Sequence, residues 1–509
     1  MRVLWVCNIM LPRIAKQLGA ESSNKEGWLS GLCDVLLERR RENGIELHVA
    51  YPVQQVAEGL DYDFHKIALP ELGEDAVLYA YGFCEDVAHA ERYEPELEER
   101  LDKIINHVKP DVIHCFGTEF AHTLAVVRAC EQPKKVLVGI QGLCQVIAKA
   151  YMADLPEEVQ NRVTFRDWLK QDSIRQQQRK FAMRGEREPE IIRLAGNVTG
   201  RTRFDRYYTQ KWNPNVCYYS MNETLRNCFY EGEWQREKCE PHTIFLSQGD
   251  YPLKGLHYLL MAVGKLKTQY PDIRIKVAGN SIVNYKKLKD KLRISAYGAY
   301  LRSMMKQYRL EDRVQFLGRL NAQEMKEEYL KCGLFVCCSS NENSPNSLGE
   351  AMLLGVPCVA ANVGGISTIF SHGEDGILYE GFCHEDIFCE KLHKSGVDAD
   401  TINNESYLKK EVSGFKTEHD GKLKKNAVKS HLQQNVENLQ QAIVQMWENP
   451  EKMEAYCKNA RKHARLTHDK ETNYQKMTEI YAEIKAKCQE WEIDRNGTII
   501  RKHWRMERK

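Results

Sequence analysis

Short apolar runs alternate with amphipathic stretches along both halves of this chain, and that alternation restricts the folds open to it more than any other feature. RVLWVCN, then WLSGLCDVLLERRREN, then IELHVAYP read as buried strand, helix and strand. ELEERLDKIINHVKPDVIHCFG repeats helix into strand, and KKVLVGIQG adds a further strand. TIFLSQG, IRIKVAGN, RVQFLGRL and CGLFVCCSS continue the pattern in the second half. Such spacing predicts mostly parallel sheets with right-handed crossovers, whose working groups lie at the carboxyl ends of the strands. At 509 residues the chain exceeds one core and suffices for two such domains and an insertion. The expected boundaries are 1–235 and 236–469, with EGEWQREKCEPH as linker and residues 384–430, polar and lysine-rich, as an insertion in the second domain.

Composition narrows the class. The chain is 42% apolar and 28% charged, as in globular proteins, and its formal net charge of +2 gives no field for nucleic acid. The 17 cysteines follow no compact spacing and several lie in apolar runs, which reads as a reducing compartment without disulfides or structural zinc. MRVLWVCNIM lacks the basic and cleavage regions of a signal peptide, and no run approaches the roughly 18 apolar residues of a membrane span. The expectation is a cytoplasmic protein with at most peripheral contact at the inner face of a membrane. Oligomeric state is not legible.

The most informative stretch for chemistry is ENSPNSLGE, running into AMLLGVPCVAANVGG. Pro345 fixes φ and suits the first turn of a helix, where the following N–H groups have no intrahelical acceptor. With the positive end of the helix dipole, these groups make a seat for an anion such as a diphosphate over Asn346, Ser347 and Leu348. Glu350 lies one turn deeper and Glu342 just before the turn, so each carboxylate could accept hydroxyls from one end of the same ligand. An ordinary capped helix with solvated glutamates is the plain alternative.

This stretch resembles the paired-glutamate signature of family-4 glycosyltransferases, retaining enzymes of the GT-B fold. Neighbouring segments follow that family in order over residues 240–380: TIFLSQGDYPLKGLHYLLMAV resembles its phosphate loop and helix, IRIKVAGN and RVQFLGRL its next strands, and VGGISTIFSHGEDGILY the segment after the glutamates. The resemblance implies two Rossmann-like, doubly wound domains facing across a cleft, with the closing helix, about 470–509, returning to the first domain. It implies transfer of a sugar from a UDP- or GDP-linked donor, a substrate with no further cofactor, to a glycan or lipid-linked glycan such as a bacterial surface polysaccharide. Glu342 would meet the donor sugar and Glu350 the ribose. Lys254 would hold the diphosphate, and Gly279 and Arg319 would lie along the donor. One departure stands out: where the family usually has an arginine five residues before the lysine, this chain has Gly249. Gln248 or Arg319 could replace the missing guanidinium.

The strand ends of the first half supply acceptor-side candidates. Gly27 matches a glycine where the family brings backbone near ligand. His114 ends a strand and is either a core residue or a site residue. Glu119, in the loop after PDVIHCFG, and Gln141, after VLVGI, could reach a ligand. Arg201 and Asp205, in GNVTGRTRFDRYYT, resemble a segment of bacterial transferases and would face substrate or form an internal ion pair. The D-x-D matches, Asp61 with Asp63 and Asp398 with Asp400, lack neighbouring ligands, and no metal is expected because the helix start and Lys254 already offer positive charge to a departing diphosphate. The rival readings are a nucleotide-sugar epimerase of the same fold and a catalytically silent sugar-nucleotide-binding protein. An NAD-dependent oxidoreductase is excluded, because IMLPRIAKQLG and not G-x-G-x-x-G follows the first strand.

Overall fold

The computed structural model of the chain describes residues 1–20, 27–283, 292–382 and 421–489. They form two units. The first comprises Met1–Ala148, Arg179–Gly232 and Lys462–Lys509, and the second Lys149–Gln178 and Glu233–Arg461.

In the first unit the strands are β1 (Arg2–Val6), β2 (Glu46–Val53), β3 (Tyr62–Ala68), β4 (Val77–Cys84), β5 (Val112–Phe116), β6 (Val136–Gly139), β7 (Asn197–Gly200) and β8 (Cys217–Ser220). They make one sheet in the order β3-β4-β2-β1-β5-β6-β7-β8. Every pairing is parallel except β3 with β4. The central β1 buries Val3, Leu4, Trp5 and Val6 completely. Its core is closed by the helix Lys470–Gln489, where Met477, Ile480, Tyr481 and Ile484 are buried. The Tyr481 hydroxyl accepts a 2.9 Å hydrogen bond from the Trp5 indole, tying the helix to the sheet centre.

In the second unit β9 (Glu240–Leu246), β10 (Arg274–Val277), β11 (Val314–Phe316), β12 (Cys332–Cys337), β13 (Cys358–Ala361) and β14 (Ile377–Tyr379) form an all-parallel sheet in the order β11-β10-β9-β12-β13-β14. Chain order reverses between β9 and β12. In open α/β sheets this switch point is where loops splay apart and ligands bind. The loops after β9 and β12 lead into the helices Leu256–Leu266 and Asn346–Leu354.

Three features depart from expectation. Residues 149–178 group with the second unit, because side chains there bond across to it: His257 Nε2 shares 2.7 Å with the Ala153 carbonyl, Thr164 donates to Ile294 O at 2.7 Å, and the Ala296 N–H donates to Asp167 at 2.9 Å. The first sheet gains the antiparallel pair β3–β4; β3 buries only Ile67, so it lacks the apolar run that marks the inner strands. A helix Pro12–Leu18, opened by proline and ended by Gly19 at φ +65°, precedes Gly27, which opens the next helix, Gly27–Glu38. The insertion expected over 384–430 lies largely outside the described residues, as do Asp398 and Asp400; residues 421–430 belong to the helix Gly421–Trp447.

Candidate functional site

The loops at the switch point of the second unit interlock through a glycine. Pro252–Lys254 is a short 3-10 turn closed by Gly255 at φ +72°, and a Cβ there would lie 1.9 Å from the Cys338 carbonyl oxygen. The Ser340 N–H donates to Leu253 O at 2.8 Å. This close approach sets Lys254, after β9, against Glu342, after β12. The Lys254 ammonium donates to Glu342 Oε1, and the Ser339 hydroxyl donates to the same oxygen at 2.7 Å. Burial works against the lysine's charge, yet the Glu342 carboxylate outweighs it and holds Lys254 above the ordinary lysine range. Behind the glutamate, the Gly365 N–H donates to Glu342 O at 2.9 Å, and Gly364, at φ +55°, leaves room for that carbonyl: a Cβ would stand 2.0 Å away.

The helix start beside this pair differs in detail from the sequence reading. Pro345 is the N-cap, at φ −69° and ψ 113°, not the first helical residue, and no side chain caps the helix. The Leu348 N–H donates to Pro345 O at 3.0 Å and the Leu348 side chain is fully buried, which removes Leu348 from the anion seat. Among the described residues no acceptor takes the N–H of Asn346 or Ser347, and both residues are half-buried. Glu350 is 4% exposed, inside the helix and not on its outer face.

Further along the carboxyl edge, Gly279 lies two residues past β10 at φ +100° with open space around its Cα, and its N–H donates to Gly318 O at 2.8 Å. Arg319 follows Gly318 and is exposed, with no ion pair among the described residues; Gln248 is half-buried. At Gly249 a Cβ would stand 2.8 Å from Leu256 Cδ2 and 3.0 Å from Val277 Cγ1, so this backbone has no room for the arginine usual in the resembled family. Beside the same loop opens a polar cavity of about 550 Å³, lined among others by Arg166, Asp250, Tyr251, Asn280, Ser281 and Arg293. Lys254, Glu342 and Glu350 do not line it. Sequence reading passed over Arg166 and Arg293, which stand in no motif, and Ser339, whose only signal is its place three residues before Glu342.

Several acceptor-side candidates of the first unit prove to be structural. His114 is completely buried; its Nδ1 shares 2.7 Å with the Tyr481 hydroxyl, and burial pushes its pKa down to about 3. Arg201 is buried in an ion pair with Glu223 and donates to the carbonyls of Ile140 and Gln141 at 3.3 and 3.2 Å. Asp205 is the third residue of a capping box with Thr202 and takes the Arg201 N–H at 2.9 Å and the Tyr218 hydroxyl at 2.5 Å. The two residues are thus joined through the Arg201 backbone and not by an ion pair of their side chains, and neither presents a free charge. Glu119 remains of interest: Oε1 accepts from the Gly142 N–H at 3.3 Å, Oε2 is buried without a partner among the described residues, and burial raises its pKa. Gln141 is half-buried beside it in sequence to Gly142. A neighbouring chain, unforeseen from sequence, links Glu85 to His122 Nδ1 at 2.6 Å and His122 Nε2 to Asn8 at 3.0 Å. Asp61 pairs with Lys103 at 2.9 Å and Asp63 accepts the Ala57 N–H at 3.0 Å, so this D-x-D serves local structure. Among the described residues no group of three or more His, Cys, Asp or Glu side chains could hold a metal, and no helix is long and apolar enough to cross a membrane.

Residues 233–393 match the family model of glycosyl transferases group 1. YtcC of Bacillus subtilis is 27% identical over 153 residues, 30% of this chain and 36% of that protein, so the chain spans about a third of that relative's length. Over 96% of this chain the fold is similar to that of sucrose-phosphate synthase from Thermosynechococcus elongatus, all of which is covered, with TM-score 0.61 and 14% identity. Anabaena HepE, in a complex with UDP and glucose, is similar over 95% of this chain and 100% of its own, with TM-score 0.55 and 13% identity. Residues 233–393 thus match the glycosyl transferases group 1 model, in a chain whose fold is GT-B.

Proposed function

We propose that this protein transfers a sugar from a UDP- or GDP-linked donor to a glycan or lipid-linked glycan, with retention at the anomeric carbon and without a metal. The observation that carries the reading is the Lys254–Glu342 pair at the β9/β12 switch point, beside the open N–H groups of Asn346 and Ser347. The donor's diphosphate replaces Glu342 as the partner of Lys254 and takes the two N–H groups. Glu342, released, accepts sugar hydroxyls. Glu350 orders the ribose side from within the helix, and the base lies toward Gly279 and Arg319.

Charge builds on the departing phosphate as the glycosidic bond breaks. Fixed donors at that point stabilise the transition state more than the ground state, which is the work a divalent ion would otherwise do. The departing phosphate itself can take the acceptor's proton, so positioning and not a side-chain base supplies much of the rate.

Melting the protein with a panel of UDP- and GDP-sugars tests this, since a ligand that binds the folded state raises its melting temperature. One donor should raise it in wild type and fail to do so in Lys254→Ala. No shift with any of them, or equal shifts in both proteins, would refute the reading.

A further inference from the structure

Residues 161–170 of the second unit carry a feature that sugar transfer leaves unused. Phe165–Lys170 is a short helix held by a capping box between Thr164 and Asp167. Buried Asp167 also accepts the Ala296 N–H at 2.9 Å, which pins one face of the helix to the unit. The other face is bare: Phe165, Trp168 and Leu169 are 57%, 61% and 66% exposed, and Val163 just before them is 57% exposed. Eleven large apolar side chains are exposed among the described residues, and four of them fall in these seven positions. Single exposed apolar residues are ordinary, but a contiguous patch of this kind marks a contact surface.

The charges around the patch choose the partner. Arg162 and Lys170 stand exposed at its two ends, and Arg175, also exposed, donates to Asn161 at 3.1 Å. Asp167 and Asp172, the acids within the segment, are both bound by Arg166 at 3.0 and 2.6 Å, and the exposed acids nearest before it, Glu157 and Glu158, stand on the preceding helix Glu157–Gln160. The outward face is therefore apolar and aromatic, with cations at both of its ends. Aromatic rings favour the boundary between headgroups and acyl chains, and cations favour anionic headgroups. A helix this short lacks the i to i+7 span of anchors with which helices fill protein grooves. We propose that Val163–Lys170 docks this unit on an anionic lipid surface, with Phe165, Trp168 and Leu169 entering the headgroup region and Arg162 and Lys170 meeting the phosphates. The inference stands on this patch alone and does not depend on the transfer reading.

Co-sedimentation of the full chain with phosphatidylglycerol or phosphatidylcholine vesicles tests it. Wild type should bind phosphatidylglycerol vesicles, release roughly tenfold in high salt because exposed charges are screened, and leave phosphatidylcholine vesicles largely unbound. F165S/W168S/L169S should bind at least roughly tenfold more weakly, since most of the buried apolar area is gone, with an unchanged melting curve. Lipid-borne quenchers should dim wild type more than Trp168→Phe, which keeps the other tryptophans. The proposal fails if wild type stays in the supernatant, if both lipids bind alike, if the triple variant binds as wild type does, or if wild type is a dimer that the triple variant dissolves, which would make the patch a self-contact.

Discussion

Lys254 and Glu342, 88 residues apart in the chain, neutralise each other across the switch point of the second unit. The same two residues are assigned to the donor, the lysine to its diphosphate and the glutamate to its sugar. Donor binding must then exchange one ion pair for another, and Glu342 competes with the phosphates for the lysine.

Glu342→Gln removes that competition while keeping the side chain's shape. A bare nucleoside diphosphate, UDP or GDP, should bind this variant about threefold to tenfold more tightly than wild type, a gain of about 1 kcal/mol. Sugar transfer should fall about a hundredfold, because the hydroxyl acceptor is weakened. Calorimetric titration and a transfer assay check both, and weaker diphosphate binding would contradict the exchange.

Gly249→Arg restores the residue usual in the resembled family, and the structure predicts that it harms the protein. Its Cβ would press on Leu256 and Val277, both completely buried. Overpacking of this kind costs about 1–3 kcal/mol. Urea unfolding should show the loss, without any gain in diphosphate affinity.

Arg201→Ala separates a structural role from a substrate role. It would take away the Arg201 partner of buried Glu223, and breaking a buried pair in this way costs about 3–5 kcal/mol. The melting temperature should fall sharply, while transfer per folded molecule at low temperature should stay near wild type. A stable protein with a raised KM for acceptor would reverse this assignment.

His114 gives a pH signature. Burial lowers its folded pKa to about 3, whereas an unfolded histidine titrates near 6.5. Between these values the unfolded chain takes up a proton that the folded chain does not. Its contribution to stability is thus complete above about pH 6.5 and is lost as pH falls toward 3, by about 1.4 kcal/mol per pH unit. Unfolding free energies measured from pH 6 to 4 should fall more steeply in wild type than in His114→Asn, by one proton; equal slopes would contradict the buried neutral state.

What was legible in the sequence was local. The paired-glutamate loop lies in one stretch, and strand runs such as IFL and CGLFVCC carry no charged residue, so the parallel sheets and the helix Asn346–Leu354 could be read directly. Contacts between distant segments could not. Nothing near GRTRFD announces that Glu223 will take Arg201, and nothing in PDVIHC that Tyr481 will close over His114. Pro345 was read one position too deep in the helix, because its fixed φ suits both the N-cap and the first turn. The β3 strand escaped because only Ile67 of its seven residues is buried, so it carries no continuous apolar run. The place of residues 149–178 depends on bonds to Ile294 and Ala296, more than a hundred residues away.

The central claim is that Lys254 receives the donor's diphosphate. Titrating UDP and GDP into wild type and Lys254→Ala measures this most directly. One of the two should bind wild type with one-to-one stoichiometry and lose at least about tenfold in affinity, about 1.4 kcal/mol, in the variant. Equal affinity in both proteins, or no binding of either nucleotide to wild type, would contradict the account.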